Sequence, residues 1–246
     1  MDKEKYQRKI DLKFNELVSE TLNYIRDIIW RMLDKSPKNY SKLSIFREIA
    51  EDENINFLDI FTLNHDLVLE KAFSNWKMDY NNGFSKPINN IKYWNESLIY
   101  QKKEKIKILK LHGSINWFRF RPLDRDWSDE RIGIPKADDF FNTVNPEEKA
   151  QLPTDGRPLF LVGTFNKMLQ YTSGIYTTLF SEFNRSMNNS SILLVSGYGF
   201  GDKGINNRII EWIYSLEEKH IIIIHPDPED LLNSASGAIS RKWNSW

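Results

Sequence analysis

Cysteine is absent from all 246 residues, which removes disulfides, thiolate zinc sites, iron–sulfur clusters and cysteine nucleophiles. No metal is expected. Net charge is absent too, because 34 Lys and Arg balance 34 Asp and Glu. Nothing global therefore advertises the phosphate neutralisation on which nucleic-acid binders depend, and direct contact with nucleic acid is not expected. Long apolar runs are also missing. The longest purely aliphatic run, Ile221–Ile224, is far short of the ~20 residues that cross a bilayer. Met1–Lys13 mixes charges of both signs and lacks the apolar stretch of a signal peptide. A soluble chain with no membrane partner is expected, most simply in the cytoplasm.

What is present is material for a core. Hydrophobic residues make up 40% of the chain and aromatics 13%, a composition that folds. The length fits one domain carrying sizeable insertions. Residues 3–34 repeat apolar side chains (Phe14, Leu17, Val18, Leu22, Ile25, Ile28, Ile29, Met32) at a spacing that buries one face of a long helix. A second helix is expected over residues 41–51, with Ser41 as its N-cap. Residues 1–54 thus form an N-terminal helical segment.

From residue 55 to residue 246 the texture is that of an α/β domain. Short β-branched and aromatic runs at 57–63, 106–111, 159–162, 192–195 and 221–224 alternate with helical patterns at about 65–73, 167–188 and 203–217. This predicts a Rossmann-like, mainly parallel sheet with flanking helices. Residues 75–105 and 115–158, rich in prolines and turn residues, read as irregular insertions over the carboxyl end of the sheet.

In such a sheet, ligands bind beyond the carboxyl ends of the strands. Those ends carry Thr62-Leu63-Asn64-His65-Asp66, Leu111-His112-Gly113-Ser114, Ser196-Gly197-Tyr198-Gly199-Phe200-Gly201-Asp202 and His225-Pro226-Asp227. Each has an ordinary reading beside the functional one. Asn64 is a good helix cap, and a lone histidine such as His112 is commonly a satisfied core residue. The alternating glycines lack the full dinucleotide spacing, and His225-Pro226-Asp227 is a serviceable stiff turn. The Trp117, Phe118, Phe120 and Trp127 group, interleaved with Arg119, Arg121 and Arg125, is open to reading as a stacking surface for nucleic acid or as the small core of an insertion with arginines at its rim.

The ordered set resembles the sirtuin superfamily, and more closely the Sir2-like domains of bacterial antiphage defence systems. Its marks are a Thr-x-Asn-x-Asp strand end (Thr62–Asp66), a Lys-Leu-His-Gly-Ser strand end (Lys110–Ser114) and a Gly-Tyr turn leading to an Asp (Gly197–Asp202). The resemblance implies an NAD hydrolase that releases nicotinamide and ADP-ribose, with abortive infection by NAD depletion as its biological role. NAD is then the substrate. By this similarity Asn64 orients the nicotinamide ribose and the attacking water, and His112 contacts the ribose and acts as general base, roles for which a carboxamide and an imidazole are chemically suited. Asp66 holds the nicotinamide amide or the Asn64 side chain, and Thr62, Gly113 and Ser114 are cofactor-binding residues at the same strand ends. Gly197 and Gly199 let the backbone approach the adenosine half, flanked by Tyr198, while Ser196 and Asp202 bond ribose or fix the turn. His225 and Asp227 line the adenine end.

Two departures qualify that expectation. Without cysteine there is no zinc ribbon of the protein-deacylating sirtuins, so lysine deacylation is disfavoured. The Gly-Ala-Gly-x-Ser strand and phosphate loop with which the family opens has no counterpart before the first helix. Either the sequence begins downstream of the true start, or the chain is a degenerate relative that binds a nucleotide or partner protein without turnover. Weak NAD binding by the chain alone is then expected, together with a protein partner or homo-oligomer.

Overall fold

Residues 14–101, 103–123, 130–136, 143–162, 174–215, 218–235 and 237–243 are described by a computed structural model. The chain divides into two compact units, residues 1–162 and 163–246.

In the first unit, helix α1 (Phe14–Leu33) is followed by a 3-10 turn (Ser41–Leu43) and α2 (Ser44–Glu51). Ser41 does not cap α2. Its backbone N–H and hydroxyl both donate to Asn39 Oδ1, at 3.3 and 2.8 Å, and the 3-10 turn displaces the helix start to Ser44. Strand β1 (Leu58–Thr62), α3 (Val68–Asn75), β2 (Ile91–Tyr93), α4 (Glu96–Ile99) and β3 (Ile106–Lys110) come next, followed by β4 (Phe118–Pro122), β5 (Arg131–Pro135), β6 (Thr143–Val144) and β7 (Ala150–Pro153).

β1 and β3 form a two-stranded parallel sheet, in register from Leu58↔Ile106 to Thr62↔Lys110. Ile60, Ile106 and Ile108 are buried with Phe73 of α3 and Ala50 of α2, and Phe46, Leu69 and Trp76 pack on them. Burying an aromatic such as Phe73, which has no exposed surface, is worth enough that truncation to Ala costs about 3–5 kcal/mol.

The two stretches expected to be irregular instead build the largest sheet, a five-stranded antiparallel one in the order β2-β5-β4-β7-β6. In β4 the sequence Phe-Arg-Phe-Arg alternates buried and half-buried positions, the period-2 signature of a strand with one face in the core. Three of the prolines that suggested loops stand at strand ends: Pro122, Pro135 and Pro153 are the last residues of β4, β5 and β7. At Gly133, in the middle of β5, a Cβ would lie 2.6 Å from Ile91 Cγ2 and 3.3 Å from the Phe120 ring, so the close packing of three strands excludes a larger residue.

α1 meets this sheet through Trp30, whose ring stands edge-on to Phe118 at 5.7 Å, and through Asp27, which accepts two bonds from Arg157 at 2.9 and 3.2 Å. The expected buried stripe is not buried. Val18, Leu22, Ile25, Ile28 and Met32 are all exposed, because the helix turns its Asp27–Trp30 side to the sheet.

The second unit contains α5 (Gly174–Asn188), β8 (Ile192–Ser196), α6 (Lys203–Ile213), β9 (His220–Ile224), α7 (Pro228–Ser234) and α8 (Gly237–Lys242). β8 and β9 are parallel and in register, with Ser196 opposite Ile224. The start of the helix expected from residue 167 lies outside the described residues. Leu159–Val162 forms no strand: Phe160 makes a single antiparallel bridge to Gly113. The fold is therefore mixed α/β. Parallel pairing occurs at β1/β3 and β8/β9, but the largest sheet is antiparallel, against the expectation of a mainly parallel one.

No helix among the described residues is long and apolar enough to cross a membrane. Trp117, Phe118 and Phe120 are buried, so these rings are core and not a stacking face; Arg125 and Trp127 lie outside the described residues.

Candidate active site

Because β1 and β3 are parallel neighbours, the segments that leave their carboxyl ends run side by side. Bonds between them are dense. Leu111 N–H donates to the Thr62 carbonyl at 2.9 Å and Ile115 N–H to the His65 carbonyl at 3.0 Å, while Ser114 Oγ reaches the same carbonyl at 3.4 Å. His65 Nδ1 lies 3.4 Å from the Gly113 carbonyl. The His65 ring is 4.7 Å from Phe160 and 6.3 Å from His112, centroid to centroid. Gly113 has φ of 83°, a conformation that a side chain would strain, and the turn there brings His112 and Ser114 under the β1 loop.

Within the loop, Asn64 N–H donates to Thr62 Oγ1 at 3.1 Å and Val68 N–H donates to Asp66 Oδ1 at 2.9 Å. Asp66, not Asn64, therefore serves the start of α3, which lies at Val68 and not at the expected His65. Asn64 itself is exposed, and among the described residues its side-chain amide has no partner. His112 is 3% exposed and Ser114 fully buried.

Beneath the loop lies a charge. Lys110, 3% exposed, is the last residue of β3. Its ammonium donates to the carbonyls of Asn64, at 3.4 Å, and Asp66, and stands 3.3 Å from Glu70 Oε1 on α3. Burial raises the Glu70 carboxyl above its ordinary pKa, against the opposing pull of Lys110. A cleft of about 520 Å3 is lined by Glu70, Lys71, Tyr80, Asn82, Lys92 and Asn116 among others, and none of the strand-end candidates borders it.

In the second unit the strand-end residues bond mainly to their own backbone. Asp202 caps α6, accepting from the N–H groups of Gly204 and Ile205 at 2.9 and 3.2 Å. The Tyr198 hydroxyl donates to Asn206 Oδ1 at 2.7 Å and accepts from Asp202 N–H at 3.2 Å. Burial, with the nearby Asp202 charge, raises the pKa of that phenol. Asp227 caps α7 through Asp230 N–H at 2.9 Å, and its own N–H donates to His225 Nδ1 at 3.1 Å. Asp202 thus fixes the turn into α6, and Asp227 with His225 stiffens the turn into α7. Ser196 is exposed at the end of β8. Gly197, with φ of 65°, and Gly199 have no described residue within 4 Å of where a Cβ would stand, so the backbone there is open among the described residues.

A family model described as a SIR2-like domain matches residues 59–245. The chain belongs to the SIR2-like domain family. No curated protein matches it.

Within this SIR2-like domain, the structure brings Thr62, Asn64, Asp66, His112, Gly113 and Ser114 together at one strand-end pair. It gathers Ser196–Asp202 with His225 and Asp227 on the other unit. Sequence reasoning passed over three residues at the first pair. His65 occupies a variable position of the Thr-x-Asn-x-Asp pattern, yet its ring neighbours those of both His112 and Phe160. Lys110 was quoted only as part of a motif, and Glu70 not at all. The available signal was a lysine ending an apolar strand, with an acid four residues past Asp66 on the following helix.

Proposed function

We propose that this SIR2-like domain hydrolyses NAD at the bond between nicotinamide and ribose, releasing nicotinamide, ADP-ribose and a proton, and that its biological role is antiphage defence by NAD depletion. Family membership supports the substrate class. The observation that carries the reading is Asn64: an exposed carboxamide without a described partner, on a loop whose other polar groups are largely engaged, beside the His112 strand end.

Cleavage of this bond passes through an oxocarbenium-like state, which calls for positioning more than nucleophilic force. A carboxamide both donates and accepts, so Asn64 can hold a ribose hydroxyl and the incoming water without placing a charge against the developing cation. His112 takes the proton from that water or from the ribose. Gly113 lets the backbone turn closely beneath them. Taken by itself, the second unit has open backbone at Gly197 and Gly199, which suits close approach by a phosphate or ribose. No metal enters the reaction as proposed.

The burial of His112, 3% exposed, favours a second reading: nucleotide binding without turnover. Nicotinamide release from NAD, followed chromatographically, separates the two. Release by the full-length protein that is lost in Asn64→Ala establishes hydrolysis. Calorimetric binding of NAD or ADP-ribose with no release establishes the second reading, and neither binding nor release overturns both.

A further inference from the structure

Lys110 poses a physical question. A lysine with 3% of its surface exposed forgoes hydration, and such groups persist only when their donors are satisfied. Its partners are the Asn64 carbonyl, the Asp66 carbonyl and Glu70 Oε1, three acceptors for three ammonium hydrogens. The lysine therefore has no hydrogen left to offer a ligand. Two of its acceptors are backbone carbonyls of one loop, between β1 and α3, to which no backbone N–H donates among the described residues. They flank His65, whose own carbonyl accepts from Ile115 N–H, five residues past Lys110. The loop is gripped from the β3 strand end at three successive residues, and the Asn64 side chain is left outside the grip.

We propose that Lys110 is a positioning residue for NAD cleavage: its ammonium, seated among the Asn64 and Asp66 carbonyls and the Glu70 carboxylate, fixes the loop that presents the Asn64 carboxamide. This rests on the reading of Asn64 as the group that orients the nicotinamide ribose. Positioning of this kind is kinetically valuable because misplacement of a reacting group by about 1 Å can cost on the order of a hundredfold in rate. Glu70 keeps the buried ammonium in place and touches no ligand in this role.

The test uses Lys110→Met, which keeps length and removes charge, and Lys110→Arg, which restores donors. Two measurements are made on each: kcat and KM for nicotinamide release, and amide hydrogen exchange over residues 62–68. That peptide contains the Asn64 and Val68 N–H groups bonded inside the loop. Lys110→Met is expected to lower kcat by about 30–100-fold with KM within about threefold, and to speed exchange in 62–68 while leaving β4 and β8 unchanged. Lys110→Arg is expected to recover part of both. If exchange accelerates everywhere, the variant is unfolding, and Glu70→Gln takes its place with the same local pattern expected at smaller size. Unchanged exchange in 62–68 overturns the clamp. Faster exchange with undiminished kcat, where Asn64→Ala has lost activity, overturns the positioning role. Absence of cleavage by the unaltered protein counts against the functional reading instead, and the exchange data then decide the clamp alone.

Discussion

The β1/β3 and β8/β9 pairs are built alike, each two parallel strands in register, yet what leaves their carboxyl ends differs in kind. After β1 and β3, bonds run between the two departing segments and rest on a buried ion pair. After β8 and β9, each departing segment bonds chiefly to itself, with Asp202 and Asp227 capping the helices that follow. The first arrangement leaves a side chain, Asn64, available. The second leaves backbone available, at Gly197 and Gly199. The proposed chemistry, which needs an oriented polar group, is assigned to the first pair on this ground, and the proposed recognition by close backbone approach to the second.

The largest expected effect lies at the first pair. Asn64→Ala should lower nicotinamide release by at least about a hundredfold, equivalent to ~2.7 kcal/mol of barrier, with no change in melting temperature, since the side chain is exposed and caps nothing. Retained activity would break the contrast. His112→Ala should abolish release as well, but with a lowered melting temperature because the ring is buried, so it is the less discriminating variant.

A smaller change is expected at Gly199→Val. With no described residue near that position, the substitution should leave stability unaltered and weaken calorimetric binding of ADP-ribose by about tenfold, or ~1.4 kcal/mol, if the backbone is approached by the nucleotide. An unchanged affinity would remove the second pair from recognition.

Asp202→Ala sharpens the comparison from the side of stability. Loss of the cap should cost about 1 kcal/mol, or about 2–4 °C in melting temperature, measured calorimetrically, without altering kcat. The smallest effect is expected for Asp202→Asn, since Asn caps as well as Asp. A raised KM in this variant with an intact melting temperature would return Asp202 to the ligand.

Much of this was legible in the sequence, and unevenly so. The β1, β3, β8 and β9 strands announced themselves as short runs rich in β-branched and apolar residues, although only β3 is mostly buried and β9 has no buried residue. The antiparallel sheet was hidden by its own prolines, which stand at strand ends and mimic loop punctuation, although Phe118-Arg119-Phe120-Arg121 carried the alternation in plain view. At the candidate site, residue identities and order could be read, but not their commitments. Whether Asp66 or Asn64 serves α3 depends on a helix start three residues later than the pattern suggested. Lys110 was invisible as a structural centre because a lysine in a sequence is taken for surface, and only its three acceptors mark it otherwise.

The anchoring of α1 and α2 has a practical consequence for anyone dividing the protein. Family resemblance begins at residue 59, one residue inside β1, yet Ala50 and Phe46 pack against the β1/β3 core and Trp30 against Phe118. A gene fragment trimmed to the recognisable family would leave the underside of β1 and the Phe118 ring facing water, inviting aggregation on expression. Here the boundary drawn by common descent and the boundary drawn by solvent exclusion do not coincide, and the second should guide where the chain is cut.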